Sequence, residues 1–188
     1  MVEQRLVEGR LACPGCSGVL AGWGYARVRV VRDRGGVLWV RPRRARCVGC
    51  GVTHVLLPAG LLLRRADTAA VIGAALMAKA KGAGYRRIAA VLARPAETVR
   101  GWLRRFGGRA EAVRRVFTVL LRAVAADPVM PGPAGNRWAD AVVAMAAAAV
   151  AVAVRFAVFT VPLWLWVAAV SGGRLLAPGW PVEWINTS

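Results

Sequence analysis

The chain has 188 residues, room for one medium domain or two small ones, and a formal charge of +18 that is confined to its first two thirds: residues 1–122 hold 24 Lys and Arg against 6 Asp and Glu, and residues 123–188 hold three of each. Of the 27 basic residues 25 are Arg, in a chain rich in Ala, Gly and Val as GC-rich coding gives, so the information lies in the confinement of the charge rather than its size. A basic region of this kind attracts phosphate backbones through counterion release, and the inventory argues against a tyrosine recombinase, which needs a tyrosine nucleophile supported by histidine: Tyr25 and Tyr85 fall in the cysteine-rich and helical segments and His54 is the one histidine.

The N-terminus, Met1-Val2-Glu3-Gln4-Arg5-Leu6, has no apolar signal core. Paired cysteines with a single histidine suit a reducing compartment, so the expected location is the cytoplasm, close to the nucleoid. Cys13-Pro14-Gly15-Cys16 and Cys47-Val48-Gly49-Cys50 contain every cysteine. Each C-x-x-C lets two thiolates close on one tetrahedral ion, and two such pairs supply the four ligands of a structural zinc site at Cys13, Cys16, Cys47 and Cys50. Disulfides and a thioredoxin-like redox motif are the competing uses, but the redox motif occurs once and beside a βαβ pattern that is missing here.

Thirty residues separate Cys16 from Cys47, more than the usual roughly 15–20, and the surplus reads as a hairpin. Tyr25 to Arg32 and Val37 to Arg41 alternate apolar and basic, with Asp33-Arg34-Gly35-Gly36 as the turn. The two cysteine knuckles are then expected to face each other at its open end. Residues 1–60 form this zinc ribbon, too small to hold together without metal. His54, four residues past Cys50, has a structural or phosphate-contacting role rather than that of a fifth ligand.

Residues 61–124 read as helices. Asp67 caps a helix with Val71, Ile72, Ala75 and Leu76 on one face, ending near Gly82 and Gly84. A short helix, Tyr85 to Leu92, is followed by Ala93-Arg94-Pro95 and a second helix from Ala96 to Phe106, with Ile88, Leu92, Val99, Trp102, Leu103 and Phe106 as shared core. Ala89, Ala93 and Val99 resemble the helix-turn-helix signature of transposase and regulator families, although glycine is usual at the position of Ala93, and a left-handed alanine costs on the order of 1 kcal/mol. In such pairs the second helix enters the major groove. That geometry makes Arg94, Ala96, Glu97, Thr98, Arg100 and Arg104 the DNA-facing candidates, with Arg86, Arg87 and Arg105 beside them and Arg43 and Arg44 contributed by the ribbon. A plain helical hairpin with a solvated arginine face is the bland alternative. Residues 109–125 form a further helix, with Val113, Val116, Phe117, Leu120, Leu121 and Val124 on one face.

Residues 125–136 are a Pro- and Gly-rich linker and an expected domain boundary. Beyond it, Ala141 to Val154 and Phe156 to Val170 are almost wholly apolar, long enough for a transmembrane helix. Against that reading, Arg155 falls near the middle of a span centred there, at roughly 2.5–3.5 kcal/mol, and Pro162 divides the run. A soluble helix pair or oligomer interface is the first expectation for residues 137–188, and a membrane anchor over 141–170 the alternative. The fold class is therefore mainly α with a small N-terminal β zinc ribbon, a trihelical helix-turn-helix and C-terminal helices.

The Cys-Pro-Gly-Cys ribbon, the approach Arg41, Arg43, Arg44, Arg46 and the helix pair resemble the N-terminal DNA-binding region of ISL3-type insertion-sequence transposases. The whole chain, including Ser171 to Leu176 and Asn186-Thr187-Ser188, is similar to a small group of actinobacterial zinc-ribbon and helix-turn-helix proteins of unassigned function. The resemblance implies sequence-specific binding of double-stranded DNA, as a regulator or as the recognition partner of a separately encoded transposase, with homodimerisation an option. It does not extend to catalysis: a transposase needs three carboxylates on a ribonuclease-H-like fold, and only Glu111, Asp127, Asp140 and Glu183 follow the helix pair. No enzyme activity and no catalytic residue are expected. A membrane-associated protein and a protein-assembly module are the competing classes.

Overall fold

The cysteine-rich segment and the helical remainder fold as two units, Met1–Arg32 with Gly36–Pro58, and Asp33–Gly35 with Ala59–Ser188. The computed structural model describes residues 2–158 and 161–181.

The first unit begins with a short helix, α1 (Val2–Val7), and continues as β1 (Leu20–Tyr25), β2 (Arg29–Asp33), β3 (Gly36–Val40), β4 (Arg43–Cys47) and β5 (Thr53–Leu56). β2 and β3 pair as the expected hairpin, with Arg34 and Gly35 at its turn. The second sheet was not evident in the sequence: β1, β4 and β5 form an antiparallel sheet in the order β1-β4-β5. Leu20 stands opposite Cys47 and Gly22 opposite Ala45, which puts Leu20, Ala45 and Cys47 on one buried face. Trp23 and Gly24 together oppose Arg44, a bulge made possible by Gly24 at φ 73°. Tyr25 consequently ends β1 instead of starting the hairpin strand. The knuckles also differ from expectation, since Cys13–Cys16 precedes β1 and Val48–Cys50 is the turn between β4 and β5. Among the described residues Leu6, Cys13, Leu20, Ala45 and Cys47 form one small buried cluster, with Leu11 and Leu56 packed beside it, and Val31 is buried apart from them. So few side chains do little to stabilise a fold of this size, and an ion held by the four cysteines would supply what burial lacks.

The second unit contains α2 (Ala69–Ala80), α3 (Tyr85–Leu92), α4 (Ala96–Gly107), α5 (Ala110–Val124), α6 (Arg137–Arg155) and α7 (Leu163–Val170). The cap of α2 is Thr68, whose Oγ1 accepts from the Val71 amide at 3.3 Å; Asp67, the expected cap, is 2% exposed and paired with Arg94 instead. Ala93 closes α3 in the left-handed region, at φ 50° and ψ 51°, its amide donating to the Ala89 and Ala90 carbonyls. Pro95 then fixes the start of α4.

One core runs through all six helices, from Val71, Ile72 and Leu76 through Val99, Trp102 and Phe106 to Phe117, Met145 and Val167. α6 packs chiefly along α5, and α7 on α2. Two glycines make those approaches possible. A Cβ on Gly73 would lie 2.0 Å from Cδ2 of Trp164, and one on Gly107 would lie 2.5 Å from Cζ2 of Trp138. Trp138 also stacks on Phe106 at 5.5 Å between centroids. The exposed segment at 125–136 thus connects parts of one unit and is no domain boundary. Asn136 begins α6, its Oδ1 accepting from the Trp138 and Ala139 amides, and Arg155 is the last residue of the helix rather than the middle of an apolar span. By length and composition α6 can cross a membrane: it has 19 residues, a mean hydropathy of 1.7, and only 22% of its most apolar stretch buried.

Candidate metal centre and basic surfaces

Two backbone turns bring the four sulfurs together. Cys13 leads into a turn in which the Ser17 amide donates to its carbonyl at 2.9 Å and the Gly15 amide lies 3.4 Å from its Sγ. At the second knuckle the Gly51 amide donates to the Cys47 carbonyl at 3.0 Å, and the Cys50 amide reaches Cys47 Sγ at 3.5 Å. Cys13 and Cys50 Sγ are 3.8 Å apart, Cys16 and Cys47 Sγ 3.4 Å, and all four lie within 4.8 Å of one another. Four thiolates about 2.3 Å from a tetrahedral ion sit about 3.8 Å apart, so the arrangement fits such an ion. It holds Cys13 and Cys47 buried and Cys16 and Cys50 exposed, and all four are free of disulfides.

The Cys47 and Cys50 thiols are shifted in opposite directions. The Cys50 amide, above all, lowers the Cys47 thiol to about 6, with help from Cys16 and the Gly49 amide. For Cys50 the Val52 amide acts downward, but Cys16, Cys47, burial and Cys13 together push it up to about 11. One thiolate in such a cluster disfavours the next, and a bound cation removes that conflict. His54 pairs across from Ala45, on the face of the cysteines, and its Nε2 lies 3.4 Å from Cys13 Sγ. In its Nε2–H tautomer the ring would donate to this sulfur and orient it.

The arginines proposed from sequence divide by what already engages them. Arg94 is taken up internally: Nε meets Asp67 Oδ1 at 2.5 Å, Nη1 donates to the Leu92 and Ala93 carbonyls, and Nη2 donates to the Asp33 carbonyl at 2.9 Å. With 12% of its side chain exposed, it locks the α3–α4 turn and is withdrawn as a DNA-facing residue. Thr68 donates to Asp33 Oδ1 at 2.8 Å in the same cluster. Arg105 is half-buried and donates to the Gly101 carbonyl at 3.0 Å. Arg43, in the first unit, is held by Glu3 at 2.7 Å and lies over the Tyr25 ring at 4.7 Å.

Arg86, Arg87, Arg100 and Arg104 are exposed. Glu97, Arg100 and Arg104 share one side of α4, opposite buried Val99, Trp102 and Phe106, and Arg100 meets Glu97 at 3.2 Å in a pair open to solvent. Thr98 is half-buried near the start of α4, Ala96 packs against the core, and Arg44 is half-buried in the middle strand of the first unit. Sequence reading missed Arg34 and Lys81, which with Arg87 border an open groove of 740 Å³ between α2 and α3. It also missed the Arg65, Arg105 and Arg109 cluster, in which burial and then the neighbouring arginines lower the Arg65 guanidinium. Arg109 there donates to the Ala177 carbonyl and to the Trp180 carbonyl at 2.9 Å.

Compared with known proteins, the chain has no significant match to a family model, a curated sequence or a solved structure.

Proposed function

We propose that the chain is a zinc-dependent protein that binds double-stranded DNA through a helix-turn-helix formed by α2, α3 and α4. The observation that carries the reading is the α3–α4 junction: two short helices joined by Ala93, Arg94 and Pro95, with Ala93 left-handed and Arg100 and Arg104 presented outward by α4. A helix held in this way by its partner offers its first turns to the major groove. Arg100 and Arg104 are the base-reading candidates with Thr98 beside them, and Arg86 and Arg87 lie where α3 meets the phosphates. Zinc is the ion this donor set favours, since four thiolates at tetrahedral spacing select a soft closed-shell cation. The role is that of a regulator or of the recognition partner of a separate transposase, with the ribbon's Arg44 adding phosphate contact. The test is titration of the zinc-loaded chain against a selected and a scrambled duplex. Arg100→Ala or Arg104→Ala should weaken the selected duplex by about tenfold and the scrambled one far less, and equal losses on both would remove these residues from base readout.

A second reading rests on α6. Val150, Val154 and Phe156 are 61%, 77% and 59% exposed, and Val150 lines an apolar groove of 450 Å³ together with Leu163 and Trp166. A membrane-associated protein would bury this end of α6 in lipid. Recovery of the full chain in the soluble fraction without detergent would eliminate that reading.

A further inference from the structure

The antiparallel sheet of the first unit has two unlike faces. Leu20, Ala45 and Cys47 face inward, and the alternate residues Ala21, Trp23, Arg44, Arg46, Thr53 and Val55 face away from that core. On the outward face Trp23 is 50% exposed and Val55 44%. The Arg46 guanidinium lies 5.0 Å from the centre of the Trp23 ring, and its Nε donates to the Gly51 carbonyl at 3.1 Å, which fixes the cation against the indole. Trp23 follows Ala21 onto this side by alternation, and the bulge at Trp23 and Gly24 sends Tyr25 to the other, with Arg43 and Glu3.

We infer that this face is a stacking platform for single-stranded nucleic acid, with an unpaired base lying on Trp23 and the backbone tracking Arg44 and Arg46. Charge selects the partner: the unit carries nine arginines against two glutamates. Glu3 is paired with Arg43 and Glu8 with Arg10, and neither is on the three strands, which themselves carry no carboxylate. Chemistry selects the strandedness. A half-exposed indole on an open sheet face suits the π-face of a base, and an intact duplex offers only base edges in its grooves. The order β1-β4-β5 puts Trp23, Arg44 and Val55 side by side across about 10 Å, wide enough for one or two nucleotides. The surface belongs to the first unit, and it does not depend on duplex binding by α4.

The test uses the full zinc-loaded chain with fluorescently labelled oligothymidylate of about twenty nucleotides, the matching oligouridylate, and a duplex of equal length, at about 0.1 M salt. Trp23→Ala should weaken the single strands by about tenfold, Trp23→Phe should keep most of the affinity, and the duplex should change by less than about twofold. Val55→Glu, which places a carboxylate on the face, should weaken the single strands without touching the indole. Metal content measured on each variant reports whether the sheet remains intact; if Trp23→Ala sheds metal, Trp23→Phe and Val55→Glu decide. The pair of homopolymers tells DNA from RNA as the source of the bases. No single-strand binding by the parent chain, an unchanged affinity in metal-replete Trp23→Ala, or equal losses on single strand and duplex would each overturn the inference.

Discussion

Gly73→Ala examines the packing that makes the helical region one unit. Alanine is favoured over glycine inside a helix by about 1 kcal/mol, so on propensity alone the change stabilises α2. The added Cβ, however, falls 2.0, 2.1 and 2.3 Å from Cδ2, Cγ and Cε2 of Trp164. Carbon contacts settle at about 3.5–4.0 Å, so the ring must retreat by roughly 1.5 Å. Trp164 is 8% exposed and its Nε1 has no hydrogen-bond partner among the described residues, so the displacement of the packed indole passes to α7. Overpacking of this kind costs about 1–3 kcal/mol, and complete expulsion of the indole about 3–5. After the propensity gain of about 1 kcal/mol, a net loss of about 0–2 kcal/mol remains if the ring shifts and about 2–4 kcal/mol if it is expelled. Thermal unfolding followed by helical circular dichroism should then show a fall of up to about 8 °C in the first case and more in the second. In a Trp164→Ala background the same substitution meets no ring and should be neutral or stabilising, giving a double-mutant coupling of about 2 kcal/mol or more. If Gly73→Ala raises the melting temperature in the parent chain, α7 does not rest on α2 and the single core is refuted.

Other substitutions separate structural arginines from those proposed to read DNA. Arg94→Ala leaves Asp67 buried without its cation and should destabilise the helical unit by about 3–5 kcal/mol, whereas Arg100→Ala, on the solvent side, should leave the melting temperature unchanged within about 1 °C. Ala93→Gly relieves the left-handed strain at φ 50° and should stabilise by about 1 kcal/mol in the same melt. Chelation of the metal should collapse the first unit, seen as accelerated proteolysis within residues 1–58, while the helical signal of α2 to α7 persists; survival of the ribbon in chelator would show that its small core suffices.

What the sequence disclosed follows from what each interaction needs. The cysteine spacing was readable because four ligands on two tight turns are a local pattern, and α3 and α4 were readable because Pro95 and the Ile88, Leu92, Val99, Trp102, Phe106 periodicity bound them. β4 was hidden: Arg43-Arg44-Ala45-Arg46-Cys47 alternates, but its inward residues are small, so it reads as a basic approach to the second knuckle. The end of β1 at Tyr25 was hidden too, since the alternation of apolar and basic residues runs on unbroken into β2. Asp67 and Thr68 are both good caps, and the choice between them depends on Arg94, twenty-seven residues away. Gly73 looked like a tolerated helix glycine because its reason, Trp164, lies far along the chain. The boundary expected at 125–136 followed composition and charge, neither of which records that α6 returns to pack on α5.

The most direct measurement is selection from a random duplex pool at about 0.15 M salt with the zinc-loaded chain, beside Arg100→Ala/Arg104→Ala and a Cys50→Ser control. Base reading by α4 predicts an enriched motif that disappears in the double variant, and two half-sites about one helical turn apart if the protein acts as a dimer. Salt-sensitive binding with no enriched motif, or no duplex binding at all, would contradict it.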